Sequence, residues 1–99
     1  MILLLRTIRQ FLITFTYEFK PNPFRDFTTI KFNLPEDSPV TLHVYDLTGR
    51  RVATLLDNES TIAGNHQVRF DGNGHPSGVY IFVIQAGAYT GTGKMNLMK

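Results

Sequence analysis

The sequence predicts an all-β fold, a small immunoglobulin-like antiparallel β-sandwich of about seven strands. Three observations predict it. From Phe27 onward the apolar residues recur with a period of two rather than 3.6. Clusters of Pro, Gly, Asn and Asp break the chain at short intervals, as turns between strands do. Aromatic residues come as eight Phe and four Tyr with no Trp, mostly within Thr/Val/Ile-rich runs, which suits pleated, half-buried surfaces. Ninety-nine residues support one domain with one modest core, and 42% apolar against 18% charged residues is a globular balance. The Cys…Trp…Cys marks of antibody domains are absent, so the expectation concerns architecture and not ancestry.

The chain divides into a lead-in, 1–16, and a domain, 17–99. In "MILLLRTIRQFLITFTYEF" the apolar run Ile2–Leu5 comes first and Arg6 and Arg9 interrupt it. A secretory signal has its charge first and a small-residue cleavage site last, and a membrane span carries no such interruption. The lead-in is therefore read as β-prone or irregular, as the remnant of a longer chain, or as following a start that is not the natural one.

"KPNPF" opens the domain: Pro21 and Pro23 stiffen the chain, and Phe24 is placed to plug the end of a sandwich. In "FTTIKFNL", Ile30, Phe32 and Leu34 share one face and Thr29, Lys31 and Asn33 the other. "PEDSP" turns the chain into "VTLHVYD", where Val40, Leu42 and Val44 alternate with Thr41, His43 and Tyr45. "LTG" turns into "RRVATLL", with Gly49 able to take a positive φ. Short and closely spaced, these strands are expected to be antiparallel neighbours. "DNESTIAGN" reads as a loop, and "HQVRF" as a strand begun by His66 with Val68 and Phe70 inward. "DGNGHPSG" is the strongest breaker. "VYIFVIQA" is almost wholly apolar, as in a strand covered on both faces or one whose second face meets a partner. "GAYTGTGKMNLMK" turns at Gly87 and ends with Met95 and Leu97 inward and Lys94, Asn96 and Lys99 outward; Gly91, Gly93 and Asn96 weaken its strand propensity.

Little in the chain points to chemistry. With no cysteine there is no disulfide, thiolate metal site or thiol nucleophile. His43, His66 and His75 lie on separate elements without metal-ligand spacing. Most carboxylates adjoin turns, where Asp bonds local backbone. "DGNG" lacks the later ligands of a calcium loop, and "GNGHPSG" leads into a strand, whereas phosphate cradles open helices. "NES" fits the N-glycosylation pattern at Asn58 on three residues alone. The net charge is only +2 and the basic residues are scattered, which argues against nucleic acid as a partner. No catalytic residue, metal, cofactor or small-molecule substrate is expected.

Taken in order, "PNPF" at 21–24, "TTIKFNLPEDSPVTLHVYDLTGRRVATLL" at 28–56, "AGNHQVRFDG" at 63–72, "SGVYIFVIQAG" at 77–87 and the final "KMNLMK" resemble the type A C-terminal sorting domain of the type IX (Por) secretion system of Bacteroidetes. The resemblance runs from Tyr17 to Lys99. It implies a non-catalytic β-sandwich, part of a longer secreted or cell-surface protein, that carries a passenger to the outer-membrane translocon. A sortase-like cell-surface peptidase then removes it and anchors the passenger. The matching positions are Pro21, Asn22, Pro23 and Phe24; Tyr45, Asp46, Gly49 and Arg50 at a hairpin; Gly78 and Tyr80; and Lys94 and Lys99. Structural readings stand beside these: conformational need for Gly49 and Gly78, core packing for Tyr80, and an edge strand kept soluble and unpaired by Lys94 and Lys99. The folded terminal hairpin is the expected docking surface. Val83 departs from the family, whose members often carry a polar or charged residue there. The competing reading is a generic immunoglobulin-like binding or spacer module, carbohydrate-binding or hook-capping-like, with His43 and Tyr45 as the nearest candidates for an aromatic platform.

Overall fold

The computed structural model describes residues 15–99; most of the predicted lead-in, residues 1–14, lies outside them. Seven strands form: β1 (Thr16–Lys20), β2 (Phe27–Leu34), β3 (Ser38–Asp46), β4 (Arg51–Thr61), β5 (Gly64–Asp71), β6 (Gly78–Ala86) and β7 (Tyr89–Leu97). They pair as a three-stranded sheet, β1-β2-β5, and a four-stranded sheet, β4-β3-β6-β7, with every pairing antiparallel. The predicted all-β sandwich is the observed architecture.

The inward residues of both sheets make one core. Ile30, Phe32 and Leu34 of β2 and Phe70 of β5 face Val40, Leu42 and Val44 of β3, Tyr80, Phe82, Ile84 and Ala86 of β6, and Met95 and Leu97 of β7; all are buried. Each large apolar side chain removed from water in this way contributes about 1.5–3 kcal/mol. Phe24 is also buried, beside Phe70 at a centroid distance of 5.9 Å, and plugs the end of the sandwich. Buried Thr28 donates its hydroxyl to the Pro21 carbonyl at 2.8 Å, and among the described residues no buried side-chain polar atom lacks a partner.

Three expectations are corrected. The strands β2 and β3 are not neighbours: the chain crosses between sheets at Pro35–Asp37, so β2 pairs with β1 and β5 while β3 pairs with β4 and β6. Residues 57–61 are strand and not loop, because β4 continues to Thr61 and β5 starts at Gly64. These polar residues show no inward face because β4 is an edge strand whose register with β3 shifts at three places, and bulged edges carry exposed side chains on both faces. Last, of the two readings of β6, cover on both faces is corrected: the chain buries its inner face, and Val79, Ile81 and Val83 are half-buried on the outer face of the four-stranded sheet.

Candidate functional site

The segment between β1 and β2 lies along the free edge of β7. The Asn96 N–H donates to Asn22 Oδ1 at 2.8 Å, while Asn22 Nδ2 donates to the Lys94 carbonyl at 3.3 Å. One side-chain amide thus bonds the edge as a peptide group of a neighbouring strand would. Two residues on, the Phe24 N–H donates to the Asn96 carbonyl at 2.9 Å and the Met98 N–H donates to the Phe24 carbonyl at 2.8 Å. These bonds form a parallel bridge between Phe24 and Leu97. Earlier along the edge, the Thr92 N–H donates to the Tyr17 hydroxyl at 3.2 Å. An open strand edge invites pairing with other chains; this one is covered by the domain's own opening motif. The expectation of an edge left unpaired, with Lys94 and Lys99 keeping it soluble, is corrected accordingly.

Beside this seam the rings of Phe15, just ahead of β1, and of Tyr17 and Phe19 within it cross to the other sheet. Phe15 stacks on Tyr89 with centroids 5.6 Å apart, and Tyr17 and Phe19 meet Phe82 edge-on at 6.0 and 5.2 Å. The rings lie where Gly91 and Gly93 have no side chain. A Cβ on Gly91 would overlap the Tyr17 ring, and one on Gly93 the rings of Phe82 and Phe19. Whatever strand propensity they cost, the two glycines let β1 close over β7. Phe15, Tyr17 and Phe19 were missed in the sequence, although their odd-number spacing was the available signal.

The hairpin between β3 and β4 is organised by Asp46. Its Oδ1 accepts from the Thr48 hydroxyl at 2.6 Å, the Thr48 N–H at 3.0 Å and the Arg50 N–H at 3.1 Å, while Oδ2 meets Arg50 Nε at 3.2 Å. The Thr48 hydroxyl is the first cause holding this carboxyl below its ordinary pKa, with the Arg50 and Thr48 amides and the Arg50 charge adding to it against desolvation. Gly49 takes φ +86°, a conformation that a Cβ disfavours. Asp46, Gly49 and Arg50 therefore shape a turn.

Asp46 pairs across the sheet with Tyr80, and Gly78 pairs with Leu97. Tyr80 is buried, which raises its hydroxyl pKa, and that hydroxyl donates to the Pro76 carbonyl at 2.6 Å. The Lys99 N–H donates to Ser77 Oγ at 3.0 Å, and both Lys94 and Lys99 are exposed. Pro21, Asn22, Pro23 and Phe24, the hairpin residues Tyr45, Asp46, Gly49 and Arg50, and Gly78, Tyr80, Lys94 and Lys99 thus gather at one end of the sandwich. That gathering was not legible in the sequence, since partners such as Asn22 and Asn96 stand far apart along the chain.

The histidines do not converge. Nδ1 of His43 lies 3.3 Å from the Tyr45 hydroxyl, Nε2 of His66 donates to the Ile62 carbonyl at 2.7 Å, and His75 packs against Phe70 and Tyr80. Among the described residues no three His, Asp or Glu side chains gather as metal ligands would. The rings of His43 and Tyr45 stand at 79° to each other and make no flat platform for a sugar.

No curated protein matches the chain. The family model of the secretion system C-terminal sorting domain matches residues 19–97. The chain belongs to this family. The sorting domain is a C-terminal sorting signal of type IX secretion, a non-catalytic role whose setting is a secreted or cell-surface protein. The family match begins within β1 and ends with the last residue of β7, so it spans both sides of the seam.

Proposed function

We propose that this sorting domain carries a passenger joined ahead of β1 across the outer membrane, and that the type IX translocon grips the end of the sandwich where the PNPF motif meets β7. The observation that supports this most is the pairing of Asn22 and Phe24 with Lys94, Asn96 and Met98. It fastens the segment that follows β1 to the end of the last strand, while the passenger leaves from the other end, where Phe15 stacks on Tyr89 at the start of that strand, so a machine holding β7 holds the domain along its whole length. Pro21, Asn22, Pro23, Phe24, Tyr45, Asp46, Gly49, Arg50, Gly78, Tyr80, Lys94 and Lys99 act chiefly by building this end; Lys94 and Lys99 present their charges from it. After transit a cell-surface peptidase removes the domain and anchors the passenger. Because β1 is hydrogen-bonded to β2 from Thr16 to Lys20, and peptidases need unpaired extended chain, the cut falls upstream of β1.

The test is to fuse residues 15–99 behind an exported reporter in a Bacteroidetes host with an intact type IX system. The reporter is expected at the cell surface, and absent from it in a translocon-deficient strain. A reporter that stays periplasmic with the intact domain refutes the reading.

A further inference from the structure

The two outer faces of the sandwich differ in chemistry. On the three-stranded sheet the outward residues mix charges of both signs with polar and aromatic side chains: Glu18 stands beside Lys31, which stands beside Gln67, and further along Arg69 covers the ring of Phe27, whose cross-strand partner is Asp71. The outer face of the four-stranded sheet contrasts with this. One row across all four strands reads Arg51, Tyr45, Ile81, Lys94, and the next reads Thr54, His43, Val83, Thr92. Apolar Val79, Ile81 and Val83 run down the middle of the face and are half-buried. Cations stand at either side of that stripe, about 14 Å apart over three strand spacings. Neither row contains a carboxylate, and neither Arg51 nor Lys94 has an ion-pair partner among the described residues. Arg51 Nη1 lies 3.4 Å from His43 Nε2, which places its guanidinium on this face.

Three aliphatic side chains on a central strand make a contiguous half-buried stripe, and two unpaired cations flanking it leave a potential that an opposite charge would complement. We infer that the outer face of the four-stranded sheet, through the row Arg51–Tyr45–Ile81–Lys94, docks on a protein surface of the secretion machinery that presents an apolar ridge bordered by carboxylates. This inference rests on the sorting function proposed above and adds the outer face of the four-stranded sheet to the end of the sandwich as a surface the machinery contacts. The occupant is neither a second copy of the chain, which would set Arg51 and Lys94 against one another's like charges, nor a sugar, which would seek a flat ring.

The experiment compares the reporter fusion carrying residues 15–99 with two variants in the same host. The first reverses both cations, Arg51→Glu with Lys94→Glu. The second, Lys31→Glu, reverses a charge on the opposite sheet. All three purified domains are checked by thermal melting; the three sites are exposed, and only Lys31→Glu, which sets a second carboxylate beside Glu18, is expected to melt slightly lower. The double reversal is expected to lower surface reporter about tenfold, as charge reversal at an interface rim does, while Lys31→Glu leaves it unchanged. Reversal that exports like the parent, or an equal loss with Lys31→Glu, overturns the inference while leaving the sorting function standing. A parent fusion that fails to export overturns both. If the parent domain, unlike the double reversal, sediments with phosphatidylglycerol vesicles, a lipid headgroup is the occupant and the protein partner is overturned.

Discussion

Asn22 holds Asn96 from the side, accepting its N–H at 2.8 Å, and the same amide donates to the Lys94 carbonyl at 3.3 Å. Asn22→Ala removes both bonds and leaves the β7 edge open to water. The site is exposed, so the loss is about 0.5–1.5 kcal/mol, read as a lower urea midpoint with an unchanged slope. Amide exchange at Asn96 should accelerate more than at Leu42 in the sheet centre. Equal protection of Asn96 in both proteins would show that the side chain is no part of the seam.

Gly93→Ala should damage the domain far more than Gly49→Ala, although Gly49 is the glycine with a positive φ. At Gly93 a methyl group would enter the rings of Phe82 and Phe19, and the closure of β1 over β7 would have to open. Overpacking of this kind costs about 1–3 kcal/mol or more. Nothing lies within 4 Å of a Cβ at Gly49, so that substitution meets only the backbone penalty of about 1 kcal/mol. Denaturant melts of the two variants give the order directly.

These glycines also mark where the sequence stopped being readable. Period-two alternation identified Ile30, Phe32 and Leu34, and Val40, Leu42 and Val44, because each such strand carries its inner face within its own residues. At Gly91 and Gly93 the absent side chain answers to Tyr17 and Phe19, a contact set by how β1 lies across the other sheet. The same limit hid the division of β2 and β3 between sheets and the meeting of Asn22 with Asn96. A short connection was mistaken for pairing because local spacing does not say which sheet receives the next strand. Residues 57–61 failed differently: on an exposed, bulged edge a strand has no buried face to display. The motif positions were legible as a set through resemblance, yet their gathering at one end required the fold.

Asp46 makes part of the stability depend on acid. Its folded-state pKa lies below the ordinary carboxylate value, with the Thr48 hydroxyl as the leading cause. A depressed carboxyl contributes stability that is present above its unfolded pKa, near 3.9, and is lost as pH falls through the folded value. Asp46→Asn should therefore be less stable than the parent at neutral pH and converge on it in acid. Urea midpoints measured down through about pH 3 test this; curves that stay parallel would show that the ionised form of Asp46 gains nothing from Thr48 and Arg50.

Tyr80→Phe isolates the bond between β6 and the 72–77 loop. The hydroxyl donates to the Pro76 carbonyl at 2.6 Å beneath the ring of His75, and its removal leaves a partly buried carbonyl without that donor. The expected cost is about 1–2 kcal/mol, with proteolysis of the loop accelerated more than global unfolding. Uniform protection of the loop in both proteins would place its anchoring elsewhere.

Removing residues 94–99 is the obvious way to ask whether the end of the domain is a recognition signal, and here it answers two questions at once. The deletion takes away Met95 and Leu97, at 0% and 1% exposure, together with the partners of Asn22 and Phe24. Losing two buried side chains of this size costs about 2–5 kcal/mol each, a large share of the roughly 5–15 kcal/mol that holds a domain folded. The truncated domain should melt far below the parent or aggregate, so its failure to export would report unfolding as readily as lost recognition. Lys99→Ala separates the two: its side chain is exposed, and the bond to Ser77 Oγ comes from its backbone N–H. Melting of Lys99→Ala should match the parent, and any drop in surface reporter then belongs to recognition. A truncated domain that melts like the parent would show instead that the end of β7 is not part of the core.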